Sequence, residues 1–388
     1  MKNTKTPDIL TAPGITLLCQ ALTRDTDRPI FDATGRLPGT VYAGEASVAA
    51  ACGYAAASGR AGAAVIETHD GALAACAGMP VVLVVLCDTL VPTAGSRWSV
   101  VVREAAQLTR AIQQALTNTL ASAPGPVLVR LHPEALAEAP APQWHVPPSY
   151  PALNGAQEDV EAAASALSVC QTPVLILGPQ WRFSRHPEAL RPFVVRMELP
   201  CFAVGCAAGG LPADSRFVFR AGLTAAISAA DLVLTVGVAG DSPLLTGLPA
   251  LAFLVQVDLD PSGHHPSADV ALRADAGRVM AQLTEYREDD GWLLQVRAFE
   301  QAAWEGLSAD HQAIRTALSE GAEVVIAEVA ADALPSASEP GRHLTVPHGA
   351  GAGAALGAGL AWPTHSVTLL SGEPAETHVF PPVKSSRL

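Results

Sequence analysis

The sequence predicts an α/β protein built from three doubly wound parallel-sheet units, and three observations carry that prediction. Short β-branched runs alternate with Ala-rich stretches of helical length, the pattern of buried parallel strands covered by helices on both faces. Hydrophobic residues make up 49% of the 388 positions, enough for several cores, and the length alone suggests two or three domains. A Pro-rich segment, "EAPAPQWHVPPSYPALNG" at residues 138–155, interrupts the alternation. It reads as an interdomain linker.

The first unit, residues 1–140, takes its strands from "GTVYAG", "GAAVIETHD", "PVVLVVLCD" and "GPVLVRLHP". The second, 155–288, opens with the helix "EDVEAAASALSVC" and continues through "TPVLILGP", "LPCFAVGC", "ADLVLTVGV" and "LAFLVQVDLDP" to "ADVALRADAGRVMAQL". These are continuous apolar runs rather than alternating ones, as expected of strands buried on both faces. A more polar helical stretch from about Asp289 to Ser319 leads to the third unit, 310–388, with "AEVVIAEVA", "GRHLTV", "GAGAGAALGAGLAWP" and "HSVTLLSGEP". That unit is short for a complete doubly wound domain and reads as truncated.

Composition removes several function classes. The formal charge of −13 leaves no basic patch to displace counterions from a phosphate backbone, which argues against nucleic acid. Lys2, Lys5 and Lys384 are the only lysines, so neither a Schiff-base lysine nor a P-loop lysine is expected. Seven cysteines without a CxxC pair read as reduced, packed thiols. The longest apolar run, "MPVVLVVLCDTLV", is too short to span a bilayer. With no secretory-type apolar core in "MKNTKTPDIL", the expectation is a cytoplasmic protein without membrane partners.

One residue stands out. In "VYAGEASVAAACGYAAASGRAG", Val41–Gly62, Glu45 is the only charge before Arg60. A segment so poor in charge reads as a helix from Glu45 to Ser58 buried nearly all round, and a buried carboxylate is costly unless paired or used. Its small residues also suit close packing against a twin helix, hence a homodimer or larger oligomer.

Taken in order, these landmarks resemble the thiamine diphosphate (ThDP) enzymes of the acetolactate synthase and benzoylformate decarboxylase group. "GEASVAAACGYAAASGRAG" is similar to that family's Glu-containing helix, "GPVLVRLHPEAL" to the strand closing its first domain, and "TPVLILGP", "ADLVLTVG" and "VQVDLDPSG" with "ADVALRADA" to its central strands. The resemblance implies pyrimidine-binding, central and truncated diphosphate-binding domains, and chemistry on a small 2-oxo acid by decarboxylation or carboligation, that is, a lyase or carboligase. It also implies that Glu45 hydrogen-bonds the aminopyrimidine ring and promotes the tautomer that takes the thiazolium C2 proton. Burial would favour this by raising the pKa of the carboxyl group; a first-turn glutamate serving the helix dipole is the plainer alternative. In the family, the central domain binds FAD or ADP in some members and nothing in others.

The pattern breaks in two places. The family's diphosphate site uses Gly-Asp-Gly after a strand and an Asn further on, whose oxygens hold Mg²⁺. Here "HSVTLL" is followed by Ser371, Gly372, Glu373 and Pro374, and the asparagines are Asn3, Asn118 and Asn154. Glu373 is the remaining metal-ligand candidate, with Gly372 beside it. Gly349, Gly351 and Gly353, in the Gly/Ala run, match the family's Gly-rich cofactor-approach segment. The second break is "THDGALAACAG", shorter than the family's Gly-rich turn. It places His69 at a strand's C-terminal end, as a proton donor or as part of a plain Asp-Gly turn. Three readings stay open: an active ThDP enzyme, a half-site subunit that completes the active site of a complementary ThDP subunit, or a fold put to cofactor-free use.

Overall fold

The computed structural model describes residues 12–24, 28–35, 37–68, 71–76, 78–86, 96–121, 123–144, 151–212, 214–245, 247–260, 263–306, 323–328, 343–346, 349–371 and 376–382. The chain divides into two compact units, residues 1–150 with 352–363, and residues 151–351 with 364–388. Among the described residues no helix is long and apolar enough to cross a membrane.

The first unit holds a six-stranded, all-parallel sheet in the order β2-β1-β3-β4-β6-β5. Its strands are β1 (Phe31–Asp32), β2 (Val41–Tyr42), β3 (Gly62–Ile66), β4 (Val81–Leu86), β5 (Trp98–Val102) and β6 (Val127–Leu131). Every residue of β3 and β6 is buried, because helices cover both faces. On one face, α1 (Pro13–Thr23) and α4 (Leu108–Asn118) enclose a cluster that includes Leu18, Leu22, Val82, Ile112 and Val129. On the other, α2 (Ser47–Ser58) and α3 (Ala72–Ala75) pack with Phe31, Ala64, Leu83 and Leu128.

Helix α2 is nearly all Ala, Gly, Ser and Cys. Alanine favours helix by propensity, yet so little side-chain mass gives such a helix stability only through close neighbours. It ends at Gly59, left-handed at φ 70°, whose N–H donates to the Ala55 carbonyl. The helix starts at Ser47 rather than at Glu45, which lies in a 3₁₀ turn, Gly44–Ala46, just before it.

The second unit contains a six-stranded parallel sheet in the order β12-β11-β10-β7-β8-β9. These strands are β7 (Pro173–Leu177), β8 (Cys201–Ala203), β9 (Val218–Phe219), β10 (Leu232–Val236), β11 (Phe253–Asp258) and β12 (Val270–Arg273). Helices α5 (Gln157–Val169), α6 (Leu190–Met197), α7 (Leu223–Ser228), α8 (Ala276–Gln282) and α9 (Trp292–Glu305) accompany it. Trp292 anchors α9 by donating its indole N–H to the Pro173 carbonyl, 2.8 Å away. The same unit carries a four-stranded sheet, β14-β13-β15-β16, from β13 (Val324–Ala327), β14 (His343–Thr345), β15 (Val367–Ser371) and β16 (Glu376–Phe380). Here β16 runs antiparallel to β15, with Ser371 opposite Glu376. It is a strand that the hydrophobic pattern did not predict.

Helix α10 (Gly351–Ala361) follows β14 in sequence, but its residues from Ala352 onward belong to the first unit. There it lies against α2 at backbone contact. A Cβ on Gly357 would fall 1.9 Å from the Ala50 carbonyl oxygen and 2.6 Å from the Tyr54 nitrogen. A Cβ on Gly53 would meet the Ala354 carbonyl at 2.4 Å, and one on Gly353 would meet the Ala49 Cβ at 2.8 Å. The small-residue face expected to meet a twin helix is therefore covered by a helix of the same chain.

Gly357→Ala should destabilise the protein by about 1–3 kcal/mol, because the added methyl meets backbone atoms that cannot rotate away. Leu356→Gln, on the exposed side of α10, should stay within about 0.5 kcal/mol of the parent. Chemical denaturation of both variants checks this, and equal stabilities would dissolve the α2–α10 contact.

Candidate functional site

The candidate Glu45 lies beyond the C-terminal end of β2 in the first sheet. In a doubly wound sheet the crossovers diverge at one point and leave a crevice beyond the strand C-termini. In this order that point lies between β1 and β3, since β1 has β2 on its other side.

Asp32, the last residue of β1, is fully buried. One carboxylate oxygen accepts from the Thr34 N–H at 2.8 Å and the Thr34 hydroxyl at 2.7 Å; the other accepts from the Leu37 N–H at 2.8 Å. These bonds fix the start of the connection to β2. Ala43 then donates its N–H to the Asp32 carbonyl, Ala46 donates to the Ala43 carbonyl, and the Ser47 hydroxyl donates to the Gly44 carbonyl. Both ends of the 44–46 turn are thus tied to the sheet edge and to α2.

Glu45 sits on that turn and is exposed. The expectation of a buried carboxylate is corrected: Ser47, Ala50, Ala51 and Gly53–Ala57 of the helix are buried, whereas Glu45 precedes the helix and is exposed. Among the described residues its side chain makes no hydrogen bond or ion pair, so the carboxylate is available as an acceptor. Its neighbour Ala46 is held from the other side, with the Ala46 carbonyl oxygen 2.9 Å from where a Gly353 Cβ would lie. Gly353 and Glu45 are thereby brought to one place.

The other candidates fall elsewhere. Gly349 is exposed, at φ 81°. Gly351 is buried and donates its N–H to the carboxylate of Glu328, itself buried at the end of β13. A Cβ on Gly351 would come within 2.4 Å of that carboxylate and 2.6 Å of the Leu369 Cδ1, so the glycine is accounted for by packing against Glu328 and Leu369. Glu328 was not singled out beforehand, although an acid straight after the apolar run "VVIA" is the signal that finds it. His69, Gly372 and Glu373 lie outside the described residues. Among the described residues no group of three His, Cys, Asp or Glu side chains is placed to hold a metal ion. The exposed Glu45 carboxylate is a suitable acceptor for an aminopyrimidine.

An exposed, unengaged carboxylate contributes little to folding. Glu45→Gln should change the unfolding free energy by less than about 0.5 kcal/mol. Asp32→Ala, which orphans buried N–H groups, should cost about 1–3 kcal/mol. If thermal or urea unfolding gave Glu45→Gln the larger loss, Glu45 would be a structural residue.

Comparison with known proteins gives the following similarities. Residues 160–283 match the family model described as thiamine pyrophosphate enzyme, central domain. The chain is 24% identical over 290 residues to the acetolactate synthase large subunit of Haemophilus influenzae, covering 63% of this chain and 50% of that protein. Over 177 residues it is 29% identical to the acetolactate synthase large subunit IlvG of Mycobacterium tuberculosis, covering 44% and 30%. Chloroplastic acetolactate synthase 1 of Zea mays is 28% identical over 184 residues, covering 43% and 28%. The chain spans half or less of the length of these relatives. In its central region and over part of its length the chain is thus similar to thiamine diphosphate-dependent enzymes of acetolactate synthase-like type.

Proposed function

We propose that this chain supplies the aminopyrimidine side of a ThDP site acting on a 2-oxo acid, and that a second family chain completes the Mg²⁺ side. In this reading residues 1–140 form the pyrimidine-binding domain, 155–288 the central domain and 310–388 a diphosphate-binding-like domain. The observation that carries it is the Glu45 carboxylate, exposed and unengaged on a turn fixed from both sides.

When bound, ThDP supplies the carbon nucleophile and electron sink that decarboxylation or carboligation of a 2-oxo acid requires. The part of Glu45 is to accept a hydrogen bond at a pyrimidine ring nitrogen and hold a proton there. A charge-assisted bond of this kind is roughly twice as strong as a neutral one. Gly353 and Ala46 act through position, since their contact keeps the turn from shifting. The second chain is argued from the sequence: Mg²⁺ needs several oxygen ligands in near-octahedral geometry, and Glu373 and Pro374 stand where the resemblance expects Asp and Gly. The N–H of Gly351, moreover, is already taken by Glu328.

Calorimetry with ThDP and Mg²⁺, followed by a decarboxylation assay on pyruvate, tests the proposal. The isolated chain should bind weakly and turn nothing over. Mixed with an acetolactate synthase-like large subunit whose own matching glutamate has been changed to Gln, it should restore turnover, and Glu45→Gln should abolish that rescue by at least about 100-fold, the low end for losing a proton-transfer group. Tight binding with Glu45-dependent turnover by the chain alone would replace the half-site reading with a self-sufficient enzyme. Neither binding nor rescue would reject both.

A further inference from the structure

The second unit has a switch point of its own, between β7 and β10, with β8 and β9 on one side and β11 and β12 on the other. A dinucleotide at such a point needs a gap between the two loops, N–H groups at a helix start for the diphosphate, and a free carboxylate for the ribose. FAD or ADP, which the family resemblance allows here, can be tested against each requirement.

The gap is filled by the chain itself. A Cβ on Gly178, just after β7, would lie 2.2 Å from the carbonyl oxygen of Gly237, just after β10. Gly237, at φ 66°, in turn faces the Cβ of Gln180 at 2.5 Å from its own would-be Cβ. The Gln180 N–H also reaches the Gly237 carbonyl, at 3.4 Å. The first N–H groups after β7 are turned inward as well, those of Gln180 and Trp181 donating to the Gly237 and Gly178 carbonyls. β7 leads into a 3₁₀ helix, Pro179–Phe183, whose first residue has no N–H, and α6 begins only at Leu190, behind another short turn that opens with Pro187.

The carboxylate requirement also goes unmet. β8 is followed by Val204, Gly205 and Cys206, none of them acidic. Asp258 ends β11 close by, but it is 4% exposed and already accepts from the Gln180 side-chain amide at 3.0 Å and the Asp260 N–H at 2.6 Å. Burial raises its pKa from the ordinary aspartate value. The Gln180 side-chain oxygen then accepts from the Leu259 N–H at 3.0 Å. Gln256 closes the same edge further along, donating to the Val238 and Gly263 carbonyls and accepting from the His265 N–H.

We propose that Gln180 is a built-in latch, spanning from the end of β7 across β10 to the end of β11, and that it closes the central switch-point crevice to FAD and ADP. The central unit then serves as scaffold rather than as a nucleotide site.

Two measurements on the whole chain test this. Titration with FAD, followed by flavin fluorescence, and with ADP, followed by calorimetry, should show no saturation through the millimolar range. Amide hydrogen exchange should find Leu259 protected, and Gln180→Ala should speed its exchange by about tenfold, as expected for loss of one hydrogen bond. Saturable binding of either ligand to the unaltered protein would overturn the proposal even if the variant failed to fold. So would unchanged exchange at Leu259 in a folded Gln180→Ala. ThDP enters neither measurement, so the fate of the Glu45 reading does not affect the result.

Discussion

The backbone-level contact between α10 and α2 is the constraint on which the candidate site depends. Two helices approach this closely only where one side presents no Cβ, and Gly53, Gly353 and Gly357 meet that condition in turn along the crossing. Protein interiors are packed like organic crystals, so one methyl group in such a seam forces backbone to move. The contact brings a segment from far along the sequence to the turn that carries Glu45. It also accounts for a helix almost devoid of large side chains: α2 gains its stability from how near its neighbours are rather than from how much surface each residue buries.

The two sheet edges show opposite uses of the same architecture. At the first, Asp32 is saturated by Thr34 and Leu37 and anchors the loop, while Glu45 is left open on the turn beyond it. At the second, the side chains that could have faced a ligand, Gln180, Asp258 and Gln256, are spent on one another and on the loops. Doubly wound sheets create a crevice by topology alone, and the side chains at the loop roots decide whether it stays open. A half-buried amide latch is stable because its side-chain nitrogen and oxygen each have a partner, which offsets the desolvation cost that would otherwise disfavour it.

Much of this was legible in the sequence. "VVLVVL" and "VLIL" are strands because residues buried on both faces leave a continuous apolar run, and "VLVRL" and "LVLTV" keep that run with one polar residue each. Two-residue strands such as Phe31–Asp32 and Val218–Phe219 carry no period to read, and β16 has no apolar run, since it sits at a sheet edge. Glu45 was found by the absence of charge around it, yet the inference from that absence to burial failed. The charge-poor pattern describes the helix, whose buried stretch begins beyond the turn, and sequence spacing alone does not reveal that a 3₁₀ turn precedes Ser47. Pairings across long separations, Gly351 with Glu328 and Gln180 with Asp258, leave no local trace. Nothing local to either segment names its partner.

The central claim is that Glu45 sets the state of the cofactor's pyrimidine ring. The most direct measurement is the ¹⁵N NMR spectrum of ThDP labelled at the pyrimidine ring nitrogens, recorded in the complex of this chain with its completing subunit. If Glu45 acts as described, one ring-nitrogen resonance moves toward its protonated position on binding, and Glu45→Gln abolishes the movement while the complex stays assembled. An identical shift in both proteins would contradict the claim and assign the proton to another group.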